Sequence, residues 1–221
     1  MSITKPNNKF LLIFILVIAI QQISSFIIDQ LNFENDHYML LIQQIILIFL
    51  LGIAVKKFGK TKLSQIGIYS WQNWSKKNKW ILLIVTPIVI MIFSFTFFSR
   101  TEILINHSEL FAIGSIILLR EFLYGFYQEF LYRGILQTEL VKRWGVWIGI
   151  TVSNLVFTFG PEHFHFYKSN LVGFAFIFCL GLLFSFLYYR FKNLITIGIW
   201  HGIGNVFIDG LGILISMAIL N

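Results

Sequence analysis

The chain has one cysteine, three prolines and little charge: 17 Lys or Arg and 10 Asp or Glu in 221 residues, 12% in all. A lone Cys179 makes no internal bridge, which excludes a disulfide scaffold, and inside an apolar run it is silent on redox compartment. The scarcity of charge and proline excludes a disordered chain. A soluble domain carries about a quarter charged and about half apolar residues. Here 57% are apolar and 25 are Phe, and the mean hydropathy is +0.78. What fills the chain is a series of apolar runs near the length that crosses ~30 Å of hydrocarbon. The composition reads as an all-α fold, a polytopic transmembrane helical bundle forming a single membrane domain over residues 1–221.

Seven runs read as spans: Phe10–Ile28, Tyr38–Val55, Trp80–Phe98, Phe111 to about Leu140, Val146–Phe159 with its flanks, Leu171–Tyr189, and Leu194 to about Ile208. Leu211–Leu220 is too short to span alone and either extends the seventh helix or makes a short eighth. Thirteen of the 17 Lys and Arg fall before the first span or in the second, fourth and sixth connections. The other connections hold only Arg100 and Lys168, alongside Asp29, Glu34, Asp36, Glu102, Glu109 and Glu162. This asymmetry puts the N-terminus in the cytoplasm. It also accounts for the net charge of +7, so no nucleic-acid partner is needed. A signal-peptide reading of the first span lacks an A-x-A site after Gln21-Gln22-Ile23-Ser24-Ser25. The basic connection Lys56–Lys79, with Trp71 and Trp74, reads as a cytoplasmic or interfacial amphipathic segment.

Ionisable groups at membrane depth are costly and mark functional sites. They are absent from the first three spans, and several occur in the second half of the chain. Glu129 and Arg133 stand four apart, acid first, the favoured order for a pair on one helix face. Phe159-Gly160-Pro161-Glu162-His163 breaks the fifth span at a Gly-Pro step, with His165 close behind. His201 and Asn205 share a face of the seventh span, and Gly198 and Gly202 form a small-xxx-small pattern for close helix approach. Each has a plainer reading: a self-neutralising pair, outer-loop histidines, or interhelical hydrogen bonding.

In order, these motifs are Gln128-Glu129-xxx-Arg133, Phe159-xxx-His163 and His201-xxx-Asn205. The chain thereby resembles the CPBP family of intramembrane proteases, which includes the type II CAAX prenyl endopeptidases and bacterial relatives in bacteriocin processing, bacteriocin immunity and lysostaphin resistance. The resemblance covers about residues 111–207. It implies an endopeptidase acting on a peptide bond in or near the membrane, with a peptide or membrane-protein substrate and the lipid bilayer as partners. Glu129 and His163 would activate water, and His201 and Asn205 would donate to the oxyanion. Arg133 would orient Glu129, Gln128 would position, and Phe159 would wall the cavity.

The family pattern begins Glu-Glu, and its first glutamate is the one usually assigned to water; here that position is Gln128. An amide cannot take a proton from water. Either Glu129 supplies the base, or the chain is a non-catalytic relative acting as an immunity or regulatory protein. Glu121 lies seven residues earlier, ~10.5 Å up the helix axis, too far to serve. Depth is a second tension, since helical rise sets Glu129 ~20 Å, His201 ~12 Å and His163 ~27 Å from their cytoplasmic turns. No cofactor is expected. A zinc site of His163, His201 and a glutamate is the alternative, although H-E-x-x-H is absent and Arg133 adjoins the acid. A small-solute carrier is disfavoured by the lack of inverted repeats. Ile, Lys, Asn and Phe usage suits an AT-rich bacterial genome, hence a bacterial inner membrane and an envelope or peptide substrate.

Overall fold

The structure, a computed structural model, describes residues 6–31, 36–100, 102, 110–164, 167 and 170–220. Lys5, Glu34, Glu109, His165 and Lys168 lie outside the described residues. Among the described residues the regular secondary structure is helical, with no strand. Helix α1 is Asn8–Gln30 and α2 is His37–Lys57. Helix α3 runs Lys76–Thr96 with a π-helical stretch at Ile81–Val85. Helix α4 is continuous over 111–144: Phe111–Glu129, a π-helical stretch Phe130–Gln137, and Thr138–Trp144. Helices α5 and α6 are Val146–Phe159 and Leu171–Phe191. Helix α7 joins Leu194–Asn205, a π-helical stretch Val206–Gly210, and Leu211–Leu220.

Five of these helices, α1, α2, α3, α6 and α7, are long and apolar enough to cross a membrane. The seven-span reading departs from this at α4 and α5. Helix α4 carries Arg120, Glu121, Glu129, Arg133 and Glu139 along its length. Helix α5 has 14 residues, which rise only about 21 Å against ~30 Å of hydrocarbon. The tail Leu211–Leu220 continues α7 and is not an independent helix.

Side chains cap the helix starts, where amide groups have no intrahelical partner and lipid offers none. Asn7 accepts from the Lys9 amide, Asp36 from Tyr38 and Met39, Asn170 from Gly173, and Asn193 from Thr196. Gly145, at φ +81°, turns the chain from α4 into α5 in a conformation that glycine adopts without strain.

Polar contacts gather the N-terminus and the basic connections at one end of the bundle. Asn7 donates from its backbone to Glu139 (2.6 Å) and from its side chain to the Gly59 carbonyl (3.0 Å). Arg143 pairs with Glu139 at 2.8 Å. The α2–α3 connection, read from sequence as interfacial, is also tied to the α6–α7 turn. Leu194 donates to the Gly67 carbonyl at 2.9 Å, and the Tyr188 hydroxyl donates to the Ile66 carbonyl at 3.1 Å.

The main core joins Phe10, Phe14 and Val17 of α1 and Leu47, Leu51 and Val55 of α2 to α4 residues including Leu131, Tyr132 and Ile135. Within it α4 and α7 cross almost backbone to backbone. A Cβ on Gly125 would lie 2.7 Å from the Gly202 nitrogen, and one on Gly202 would lie 2.6 Å from the Phe122 carbonyl oxygen. Gly198 seats the Phe126 ring in the same seam. The small-xxx-small pattern thus finds its neighbour in α4.

Gly125→Val should therefore lower the thermal unfolding midpoint in detergent, by the equivalent of about 1–3 kcal/mol of overpacking. Gly52→Ala, where a Cβ meets nothing within 4 Å, should leave the midpoint unchanged or raised.

Candidate active site

The crossing brings Glu129 of α4 against His201 of α7, with Glu129 Oε1 2.7 Å from His201 Nδ1. A carboxylate oxygen accepts, so Nδ1 carries the proton and the ring's Nε2 edge is left for the cavity. On the other side Arg133 Nε lies 3.3 Å from Glu129 Oε2, an ion pair without hydrogen-bond geometry. Arg133 also donates from Nη2 to the Gly181 carbonyl at 3.0 Å, and its guanidinium sits 4.1 Å from the Phe157 ring centre. Glu129 is fully buried, with both oxygens facing a partner. Its first oxygen orients an imidazole and its second faces a cation. The π-helical stretches begin directly after Glu129 and Asn205, a placement common at functional sites.

The break after α5 solves the depth problem posed by His163. Helix α5 stops at Phe159, and the amides of His163 and Phe164 donate back to the Gly160 carbonyl at 3.2 and 3.0 Å. This turn points the chain into the bundle. His163 is buried, with Nδ1 2.9 Å from the Phe157 carbonyl oxygen. A carbonyl only accepts, so Nδ1 is protonated and Nε2 holds the lone pair. Nε2 lies 3.2 Å from Gln128 Nε2, which can donate to it.

The second N–H of Gln128 donates to Glu162 Oε2 at 2.9 Å. With two acceptors on this side, the amide orientation is fixed: Nε2 faces them, and Oε1 has no hydrogen-bond partner among the described residues. Gln21 of α1 is buried, and its Oε1 accepts from the Tyr127 hydroxyl at 2.7 Å. Burial pushes the Glu162 carboxyl up to about 7, against the downward pull of Gln128, Gln21 and Arg133.

His163, His201 and Asn205 line one cavity of about 450 Å³, together with Phe157, Trp200 and Asp209. Apolar residues of α3 and α6, among them Val89, Phe93 and Phe184, complete the wall. Of the residues expected from sequence, Gln128, Glu129 and Arg133 stand behind this wall and His163, His201 and Asn205 form it. Phe159 does not: it is half exposed and its ring packs on Phe174, 5.0 Å between centres. Two helical positions turn a side chain by about 200°, so Phe157 faces the cavity and Phe159 faces outward. Glu121 pairs with Arg120 away from the cavity.

Sequence reading missed three residues. Asp209 was available from its spacing, four beyond Asn205. Phe157 was available from helical parity with Phe159. Glu162 was counted only as a loop charge. The alternative zinc set does not fit, because Glu129 is spent on Arg133 and His201. Among the described residues no group of three His, Cys, Asp or Glu is placed to hold a metal ion.

These features define a membrane helical bundle with a carboxylate–imidazole centre beside an apolar cavity. Residues 109–207, which contain every one of the motif residues, match the family model described as type II CAAX prenyl endopeptidase Rce1-like. That match supports the resemblance of the three motifs to the CPBP family of intramembrane proteases. Comparison with curated proteins and with solved structures gives no match.

Removing Arg133 strands a fully buried carboxylate, an error worth about 3–5 kcal/mol. Arg133→Met should lower the unfolding midpoint sharply, and adding Glu129→Gln should recover much of the loss.

Proposed function

We propose that the protein is an endopeptidase that hydrolyses a peptide bond in or near the membrane, without a cofactor. The observation that carries this reading is the shared cavity, where the imidazoles of His163 and His201 meet the Asn205 amide with Glu129 bonded behind His201. Peptide hydrolysis needs a proton acceptor for water and donors at the developing oxyanion. Asn205 donates as it stands. With Nδ1 on Glu129, His201 turns Nε2 to the cavity, and it donates from that nitrogen in its doubly protonated form. His163 presents an Nε2 lone pair in the hydrogen-bonded cluster with Gln128. In this reading Glu129 positions His201, and Arg133 balances Glu129.

The finer topology belongs to the same reading. One membrane domain has its N-terminal end and basic connections in the cytoplasm, and α4 and α5 complete seven membrane segments around the five apolar helices. The substrate is an apolar peptide or membrane-protein segment that fits the aromatic wall, in a bacterial inner membrane. A CAAX-type or bacteriocin-type substrate satisfies the same geometry. A second reading, a non-catalytic immunity or regulatory protein, is favoured by one observation: position 128 is an amide.

The two separate by comparison of newly formed N-termini in membranes of cells lacking the native gene. These cells would express wild type, Glu129→Ala, His163→Ala or His201→Ala at equal membrane levels. Hydrolysis predicts termini that appear with wild type and vanish in all three variants; Asn205→Ala should slow their formation about 10²–10³-fold. The same termini in every strain would leave only the non-catalytic reading.

A further inference from the structure

A hydrolytic cavity needs a group that takes a proton from water, and the carboxylates near it can be tested one by one. Gln128 is an amide and accepts none. Glu129 is fully buried, with Oε1 on His201 and Oε2 facing Arg133. Glu121 is engaged by Arg120 outside the cavity. Asp209 lies on the cavity rim, exposed, beyond Asn205. Glu162 differs from all of these. It too stands behind the cavity wall, but it is buried next to His163, which lines the cavity, in the turn that follows α5. It is bonded at 2.9 Å to the amide nitrogen that sits 3.2 Å from His163 Nε2.

We infer that Glu162 is the carboxylate of the water-activating centre, supplying from the α5–α6 turn the negative charge that position 128 of α4 lacks. This inference rests on the hydrolytic reading above. Gln128 is then the clamp: one N–H holds Glu162 and the other holds His163, so the acid and the imidazole stay side by side. A water at Glu162 Oε1, the oxygen with no hydrogen-bond partner among the described residues, gives it one proton as the water oxygen bonds to the scissile carbonyl carbon. The carbonyl π pair moves onto oxygen, where His201 and Asn205 donate to it. Collapse of this intermediate re-forms the carbonyl and breaks the C–N bond. The amine leaves with the proton from Glu162, which returns to its ionised form. One water is consumed, and one acid and one amine are released. A carboxyl held near neutral pH by burial suits both halves of this transfer.

The arrangement also makes position 128 and position 162 mutually dependent. A glutamate at 128 beside Glu162 would set two carboxylates at hydrogen-bond distance, where they share one proton and cannot both ionise. Gln128→Glu alone should therefore impair the protein. The exchange Gln128→Glu with Glu162→Gln rebuilds a carboxylate–amide pair with the partners reversed, still beside His163.

The test measures newly formed N-termini in membranes of cells lacking the native gene. The strains express wild type, Glu162→Gln, Gln128→Glu, the exchanged pair or His201→Ala, at equal membrane levels and with unfolding midpoints recorded. Glu162→Gln should lose about 10²-fold or more of the wild-type rate, the usual scale for a general base. The exchanged pair should exceed both single variants, a rescue that a role in folding alone does not produce at equal level and midpoint. Wild-type cleavage by Glu162→Gln while His201→Ala is silent overturns the role of Glu162 and leaves the protease reading standing. An exchanged pair no better than Glu162→Gln also overturns it. Identical termini with wild type and His201→Ala remove the protease reading, and this inference with it.

Discussion

A carboxylate with no exposure inside a helical membrane bundle must have its charge met at contact distance, because neither lipid nor water can meet it. Glu129 answers that requirement twice, through Arg133 one turn along its own helix and through His201 on the facing helix. The second contact exists only because α4 and α7 approach at glycines: side chains at positions 125 and 202 would collide with backbone. Backbone proximity, the buried ion pair and the orientation of the His201 ring are thus one constraint. The cavity inherits its polar edge from it.

The other half of the site depends on a helix that ends early. Helix α5 rises only about 21 Å, and the Gly160 carbonyl gathers the amides of the turn that follows. His163 and Glu162 are thereby carried to Gln128. A longer α5 would have left both at the far surface, as simple counting from Gly145 suggests. The π-helical stretches after Glu129 and Asn205 and the close approaches at Gly125, Gly198 and Gly202 lie on the two helices that carry Glu129 and His201.

Much of this was legible in the sequence. Apolar runs located every long helix, and the asymmetry of Lys and Arg anticipated which connections share one end of the bundle. The i,i+4 spacing of Glu129 with Arg133 and of His201 with Asn205 placed each pair on one face. What was not legible depended on three-dimensional return of the chain. Glu162 stands in a polar, Pro-containing turn and looks like any loop acid until the turn folds inward. Phe159 holds the motif position, but the half-turn between it and Phe157 decides which ring meets the cavity. Apolar character alone also does not reveal that α5 is short, or that α4 carries seven charged residues along a continuous helix.

The central claim is that Glu129 fixes the tautomer and orientation of His201, and it is open to direct observation. Nitrogen-15 NMR of ring-labelled protein in detergent micelles, with His201 assigned by its substitution, reports which ring nitrogen is protonated and how strongly that proton is hydrogen-bonded. The account predicts a strongly deshielded proton on His201 Nδ1 that disappears or moves upfield in Glu129→Gln. An unprotonated His201 Nδ1, or a signal unchanged by Glu129→Gln, would contradict it.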